Sequence, residues 1–267
     1  MSKPMRPVSC ILRLTCGIVL SLGYGVSAQA EALHTLSVDY ALSSHGLTLV
    51  DMQTRTQIGP EGYAISVHTR TVGIVGMLAR SDVWSTGSGR FAGDRVIPES
   101  FRSAGHSRGA NREVRIAYPD GDPVLETLTP PEPDREPVPP ERTRGAVDTL
   151  AAVVELSRLV ARTGRCDGQA LVFDGRRLSR LEVTTVGEEA VADAGAFSGR
   201  ALRCDFVSRQ LGGFLRDETR ARLLKPLHGS AWLAPPIAGA PVAAVKAVFE
   251  SPLWGRATLR LRSARAD

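Results

Sequence analysis

The chain has 267 residues, 43% of them hydrophobic and 23% charged, which excludes a disordered or fibrous protein and suits one substantial core. Its formal net charge of +5 falls to about +2 without Lys3, Arg6 and Arg13, leaving 30 basic against 28 acidic residues. The other basic residues are arginines, except Lys225 and Lys246. They alternate with acids along strand-like segments and form no basic helix with interleaved aromatics, so nucleic acid is not the expected partner.

Residues 1–30 have the three-part layout of a secretory signal. Lys3, Arg6 and Arg13 give positive charge, no acid precedes Glu31, and an apolar run from Leu14 to Val26 leads to Ala28-Gln29-Ala30. Small side chains at both alanine positions suit signal peptidase. The run is about 13 residues, short of the roughly 20 that span a bilayer as a helix. An uncleaved anchor is the competing reading. A lipid anchor is disfavoured, because Cys10 and Cys16 precede or begin the apolar run. Cleavage after Ala30 predicts an exported protein, periplasmic or secreted, with one β-rich domain over 31–267.

That cleavage leaves two cysteines, Cys166 and Cys204. An even pair in an oxidising compartment reads as a disulfide, and closing a loop of about 39 residues implies roughly 3 to 4 kcal/mol. Two buried free thiols are the alternative. The C-x-x-C spacing of a redox pair is absent.

Leu36, Val38, Tyr40 and Leu42 alternate with polar or small residues, the period-2 pattern of a half-buried strand. Turns at 43–46 and 59–62 separate it from strands over Leu47–Ile58 and from Tyr63 onward, an up-and-down meander. The segment 73–78 is apolar on both sides and holds two glycines, so it reads as a loop or short helix. Strands follow around 82–88, 95–104 and 112–118. The glycine-serine patch Ser85–Gly89 reads as a turn.

From Pro130 to Pro140 the sequence PPEPDREPVPP contains six prolines. Lacking donors, it is expected to stay out of any ladder and form a strap of moderate stiffness. A ligand for a proline-reading domain is the functional alternative. Asp148 then caps a helix over 148–163. Leu150, Val153, Val154, Leu156, Leu159 and Val160 cover more than half its circumference, which predicts burial on nearly all sides. Gly164 stops it.

Strands resume with Gln169–Phe173 and Arg176–Thr184, joined at Asp174-Gly175 by an expected type I′ turn. Leu202, Cys204 and Phe206 share one face of a later strand, and Ala257, Leu259 and Leu261 share one face of the last. The fold class predicted is mainly β: a large curved antiparallel sheet or half-open β-barrel with one buried α-helix inserted midway.

No catalytic, cofactor or metal motif stands out. His34, His45, His68, His106 and His228 show no metal-ligand spacing. Asp174–Arg177 is accounted for as a hairpin tip, and Glu188-Glu189 reads as a solvated loop. If the helix only partly fills the sheet, an apolar groove remains for a lipid or other hydrophobic ligand, with Ile74, Val75, Met77 and Leu78 placed at its mouth. The alternative is that these four plug the core.

Several runs resemble a known family. Val147-Asp148-Thr149-Leu150, Gly164-Arg165-Cys166-Asp167, Val172 to Arg177 and Ala201-Leu202-Arg203-Cys204 are similar to the bacterial family called domain of unknown function 3108. So are Ile97-Pro98, Arg115 to Tyr118 and Pro139-Pro140. The likeness spans roughly Leu33 to Leu261. Thr149 departs from it, standing where proline is expected, which bears on the helix start and not on chemistry. The resemblance implies an exported envelope protein of β-rich fold, similar in outline to periplasmic lipoprotein carriers of the LolA and LolB kind. The leading expectation is a non-catalytic protein with a lipid or envelope-protein partner. The others are a structural role in envelope integrity and a hydrolase with a site assembled from distant residues.

Overall fold

The computed structural model describes residues 34–192, 195–217, 225–251 and 255–266. The expected signal segment 1–30 lies outside them. The described residues belong to one unit, Glu31–Asp267.

Thirteen strands form one sheet: β1 (His34–Ser44), β2 (Leu47–Ile58), β3 (Gly62–Thr71), β4 (Asp82–Ala92), β5 (Arg95–Ser107), β6 (Ala110–Ala117), β7 (Val124–Thr129), β8 (Gly168–Phe173), β9 (Leu178–Val191), β10 (Gly199–Gly212), β11 (Leu227–Ala234), β12 (Ala243–Ser251) and β13 (Gly255–Ala266). A six-residue helix α1 (Gly73–Leu78) follows β3, and α2 (Thr149–Thr163) sits between β7 and β8. The order in space is β7-β6-β5-β4-β3-β2-β1-β13-β12-β11-β10-β9-β8, so two meanders meet where β1 pairs with β13. Every ladder is antiparallel. The sheet is open, with β7 and β8 as its edges.

The chain between those edges covers part of one of them, β8. Val147 N–H donates to Leu171 O at 2.9 Å, and Phe173 N–H to Val147 O at 2.9 Å, blunting β8. The proline-rich strap is not wholly outside the hydrogen-bonding pattern. Glu136 N–H donates to Phe214 O and Arg216 N–H to Asp134 O, both at 2.8 Å, closing an isolated bridge between Arg135 and Leu215. Asp134, Arg135 and Glu136 are the three consecutive residues there without a proline ring, so their donors remain available.

Helix α2 runs cap to cap as read. Asp148 accepts from Leu150 and Ala151 N–H, each at 2.9 Å, and Gly164 ends the helix in the left-handed conformation. Leu150, Ala151 and Val154 join Tyr63, Phe101, Ile116 and Phe173 in the largest core cluster. Val160 packs with Leu202, Leu233 and the two cysteines, toward the second meander. The helix therefore ties both meanders together.

One expectation fails on β4. Ser85–Gly89 is not a turn but mid-strand, because Gly87 and Gly89 serve close approach. A side chain at Gly87 would begin 3.3 Å from Leu150 Cβ, and one at Gly89 would meet the Ile97 carbonyl and the Tyr63 ring. At the β8–β9 hairpin, Gly175 has a positive φ but Asp174 does not, so the expected type I′ turn, which needs both, does not form, and β9 begins at Leu178. Glu188 and Glu189 likewise stand in β9, not in a loop, held by Arg200 and Arg203 of β10.

Candidate apolar binding cavity

A cavity of about 430 Å³ lies between α2 and the concave side of the sheet. One wall is Leu36, Val38 and Tyr40 of β1 with Met52, Thr54, Thr56 and Ile58 of β2 and Ile65 and Val67 of β3. The opposite wall comes from Leu181 and Val183 of β9, Cys204 and Phe206 of β10, and Ala231 and Leu233 of β11. Pro241, Val242, Ala243, Ala244 and Leu259 complete it, and α2 lays Thr149, Leu150, Val153, Val154, Leu156 and Ser157 across it. The alternation read in β1 turns these residues to the inside, since every second side chain of a strand shares a face.

Among the described residues, the lining holds no carboxylate, ammonium, guanidinium or imidazole. Its polar atoms are few: Thr54, Thr56, Thr149, Ser157 and the Tyr40 phenol, whose pKa burial pushes up, keeping it neutral. Ser157 donates its hydroxyl to the Val242 carbonyl. Such a surface has little to offer an ionic or sugar-like molecule and matches hydrocarbon.

The helix is less buried than its sequence predicts. Val153 lines the cavity and is still 58% exposed, so the concavity communicates with solvent beside it. The wide apolar face of α2 reflects a helix that walls an unfilled space, not one enclosed on nearly all sides.

Ile74, Val75, Met77 and Leu78 are absent from the cavity wall. They form α1, which packs on β2 and β3; Val75 is buried there and the other three face solvent. Placement at the groove mouth is thus corrected. An apolar run does not reveal which side of the sheet its element caps. Cys166 and Cys204 are fully buried with Cα atoms 6.3 Å apart and sulfurs at disulfide distance.

Two other hollows differ in character. One of about 930 Å³ at the ends of β10–β13 mixes Asp205, Lys225, Glu250 and Arg256 with apolar residues. One of about 420 Å³ lies under the strap, beside Glu132, Arg135 and Arg176. Glu132 touches three guanidiniums: Arg135 Nε at 2.8 Å, Arg112 at 3.1 Å and Arg176 Nε at 3.1 Å. Its proline-rich surroundings give no sequence hint of this, because Arg112 belongs to β6 and Arg176 to the β8–β9 turn.

Among the described residues no histidine hydrogen-bonds both a carboxylate and a hydroxyl. His68 meets Asp82 at 2.9 Å and stacks on Trp84, and His45 meets Ser44 Oγ at 2.9 Å. Nor do three His, Cys, Asp or Glu side chains gather as metal ligands among them.

The buried Asp148 carboxylate caps α2 at the residue before the cavity-lining Thr149. Burial raises its pKa, opposed by the Ala151 and Leu150 N–H groups and by the Tyr118 hydroxyl, which donates to it at 3.3 Å. An acid whose folded pKa exceeds its ordinary value near 3.8 binds an extra proton when folded, so its contribution to stability falls as pH rises between those values. Asp148→Asn keeps an acceptor for the cap and removes the charge. Its unfolding midpoint at neutral pH is expected to equal or exceed wild type, with a weaker pH slope. Asp148→Ala should lose about 1–2 kcal/mol. Thermal denaturation across mildly acid to neutral pH reads both.

The family described as Protein of unknown function (DUF3108) matches residues 36–261, and the chain belongs to it. No curated protein matches the chain. A crystal structure of a beta-barrel-like protein of domain of unknown function DUF1849 from Brucella abortus is similar, with 15% identity and a TM-score of 0.51 over 88% of this chain and 98% of that one. At that identity the likeness is one of fold. No described helix is long and apolar enough to cross a membrane.

Proposed function

We propose that this member of the DUF3108 family is an exported, non-catalytic protein that shelters a hydrophobic ligand, a lipid or a lipoprotein acyl chain, between α2 and the sheet. The observation that carries the reading is the uncharged cavity of about 430 Å³, whose size falls within the roughly 300–1,000 Å³ of small-molecule sites. Export is supported by the layout of residues 1–30 and by the buried cysteine pair, which suits an oxidising compartment. The exposed edge of the cavity at Val153 offers a path for a chain-like molecule to enter without unfolding the sheet.

Native mass spectrometry of protein recovered from the periplasm without detergent tests the reading directly: a bound mass that extracts as lipid is expected. Its absence, together with no uptake of a fluorescent fatty acid, would remove the ligand. Val153→Asp places a carboxylate on the cavity edge at a position already largely solvated. Fatty-acid affinity should fall about tenfold, the equivalent of 1.4 kcal/mol, while thermal stability stays near wild type.

A further inference from the structure

Helix α1 is inverted with respect to a core helix. Ile74, Met77 and Leu78 occupy i, i+3 and i+4, one face of a helix, and that face points to solvent. Met77 is 85% and Leu78 83% exposed, and Leu47, where β2 begins, extends the patch. Only Val75 turns inward.

The protrusion is held firmly. Val72 N–H donates to Leu49 O at 3.0 Å, and Thr71 Oγ1 donates to Ala79 O at 3.1 Å while accepting from Ser81 N–H at 2.8 Å. A side chain at Gly76 would begin 2.8 Å from the Thr71 carbonyl, so the glycine lets the helix sit against the strand and keeps its apolar face outward. Monomeric proteins seldom present such side chains together without a partner.

The surrounding charge selects the partner. Arg80 follows the patch directly, is exposed, and has no ion-pair partner among the described residues. Arg108 is exposed in the β5–β6 turn at the same end of the sheet, where Asp82 pairs with His106. The acids nearby are engaged or matched: Asp51 by Arg70 and Arg262, Asp82 by His68, and Glu250 opposite Arg256 across β12 and β13. The patch borders none of the described hollows and offers flexible aliphatic side chains, with Arg80 beside them and Arg108 at the same end of the sheet. We infer that α1 docks this protein on an anionic lipid bilayer, Ile74, Met77 and Leu78 entering the acyl boundary and Arg80 meeting headgroup phosphates. This docking is independent of the cavity, although a lipid-sheltering protein has reason to visit a membrane.

Vesicle flotation of the protein recovered after export tests it, using phosphatidylcholine with and without phosphatidylglycerol. Wild type should float with the anionic vesicles. The double substitution Met77→Asp, Leu78→Asp should lower partitioning at least tenfold with an unchanged unfolding midpoint, because both side chains are already solvated. Arg80→Glu should weaken binding only where phosphatidylglycerol is present. Val153→Asp should float as wild type does, which separates this surface from the cavity. Unchanged flotation of the double variant, or no flotation of wild type, overturns the inference. So does a wild-type dimer that the same substitutions dissociate, which would assign the patch to a second copy.

Discussion

Replacing Glu132 by alanine is expected to lower stability by about 3–5 kcal/mol, a drop in unfolding midpoint on the order of 10 °C. Its side chain is 9% exposed and is the shared anion of Arg112, Arg135 and Arg176. Removing it leaves three guanidiniums crowded around an empty position, and Arg176 Nε, buried and 3.1 Å from Glu132 but out of line for a hydrogen bond, would lose that contact too. The cluster also joins parts of the chain that no ladder joins: β6, the strap and the β8–β9 turn. Arg135 adds a hydrogen bond at 2.5 Å to the Gly213 carbonyl. The clasp therefore bridges the two edges of an open sheet. Glu132→Gln should cost nearly as much as the alanine, since charge and not shape is lost. A double variant with Arg176→Ala should lose less than the sum of the singles, as expected for coupled partners.

The same clasp has a pH signature. Burial alone would raise the Glu132 pKa, but the Arg135 hydrogen bond and the charges of Arg176, Arg135 and Arg112 hold it below the usual carboxylate range. A depressed folded pKa gives stability that is present above the unfolded value and is lost as pH falls through the folded one. Acid should therefore weaken the clasp, the opposite direction to Asp148. Urea midpoints measured downward from neutral pH should fall more gradually in Glu132→Gln than in wild type.

Much of this architecture is legible in the residues. Alternation marks β1 and β13, turn residues bound β2 closely, and Asp148 and Gly164 bracket α2. The closure through β1 and β13 is not legible, because pairing across more than 200 residues leaves no local trace. Ser85–Gly89 misleads because small residues that admit a helix look like small residues that make a turn. The cavity is half legible: the side chains of Leu36, Val38 and Tyr40 announce an inner face, but whether α2 fills the space depends on packing volumes, as Val153 shows. The groove residues mislead most. An apolar i, i+3, i+4 face says that something covers it, not whether the cover is the chain's own core.

Substituting serine for both Cys166 and Cys204 is expected to destabilise the protein by about 3–4 kcal/mol, the loop-closure value for a separation of 38 residues. The loop so closed contains β8, β9 and the start of β10, the part of the sheet that ends in the β8 edge. Without the link, that edge would rest on its ladders, the Val147 bridge and the core contacts of α2. The motif around Cys166 adds a local reason for its position. Cys166 N–H donates to Thr185 Oγ1 at 2.8 Å, and Thr185 in turn gives its N–H and hydroxyl to Asp167 at 2.9 and 2.8 Å. This network sets the cysteine against β9 whether or not the sulfurs are joined, so the double serine variant should still fold. Cys204 is also part of the cavity wall, which gives the prediction a second readout. If the link mainly restricts the unfolded chain, the variant should lose midpoint temperature by roughly 10 °C yet bind a fatty acid as wild type does in the cold. Loss of binding at temperatures where the variant is fully folded would mean that the link shapes the cavity itself. A midpoint equal to that of untreated wild type would mean that the sulfurs are not joined in the exported protein.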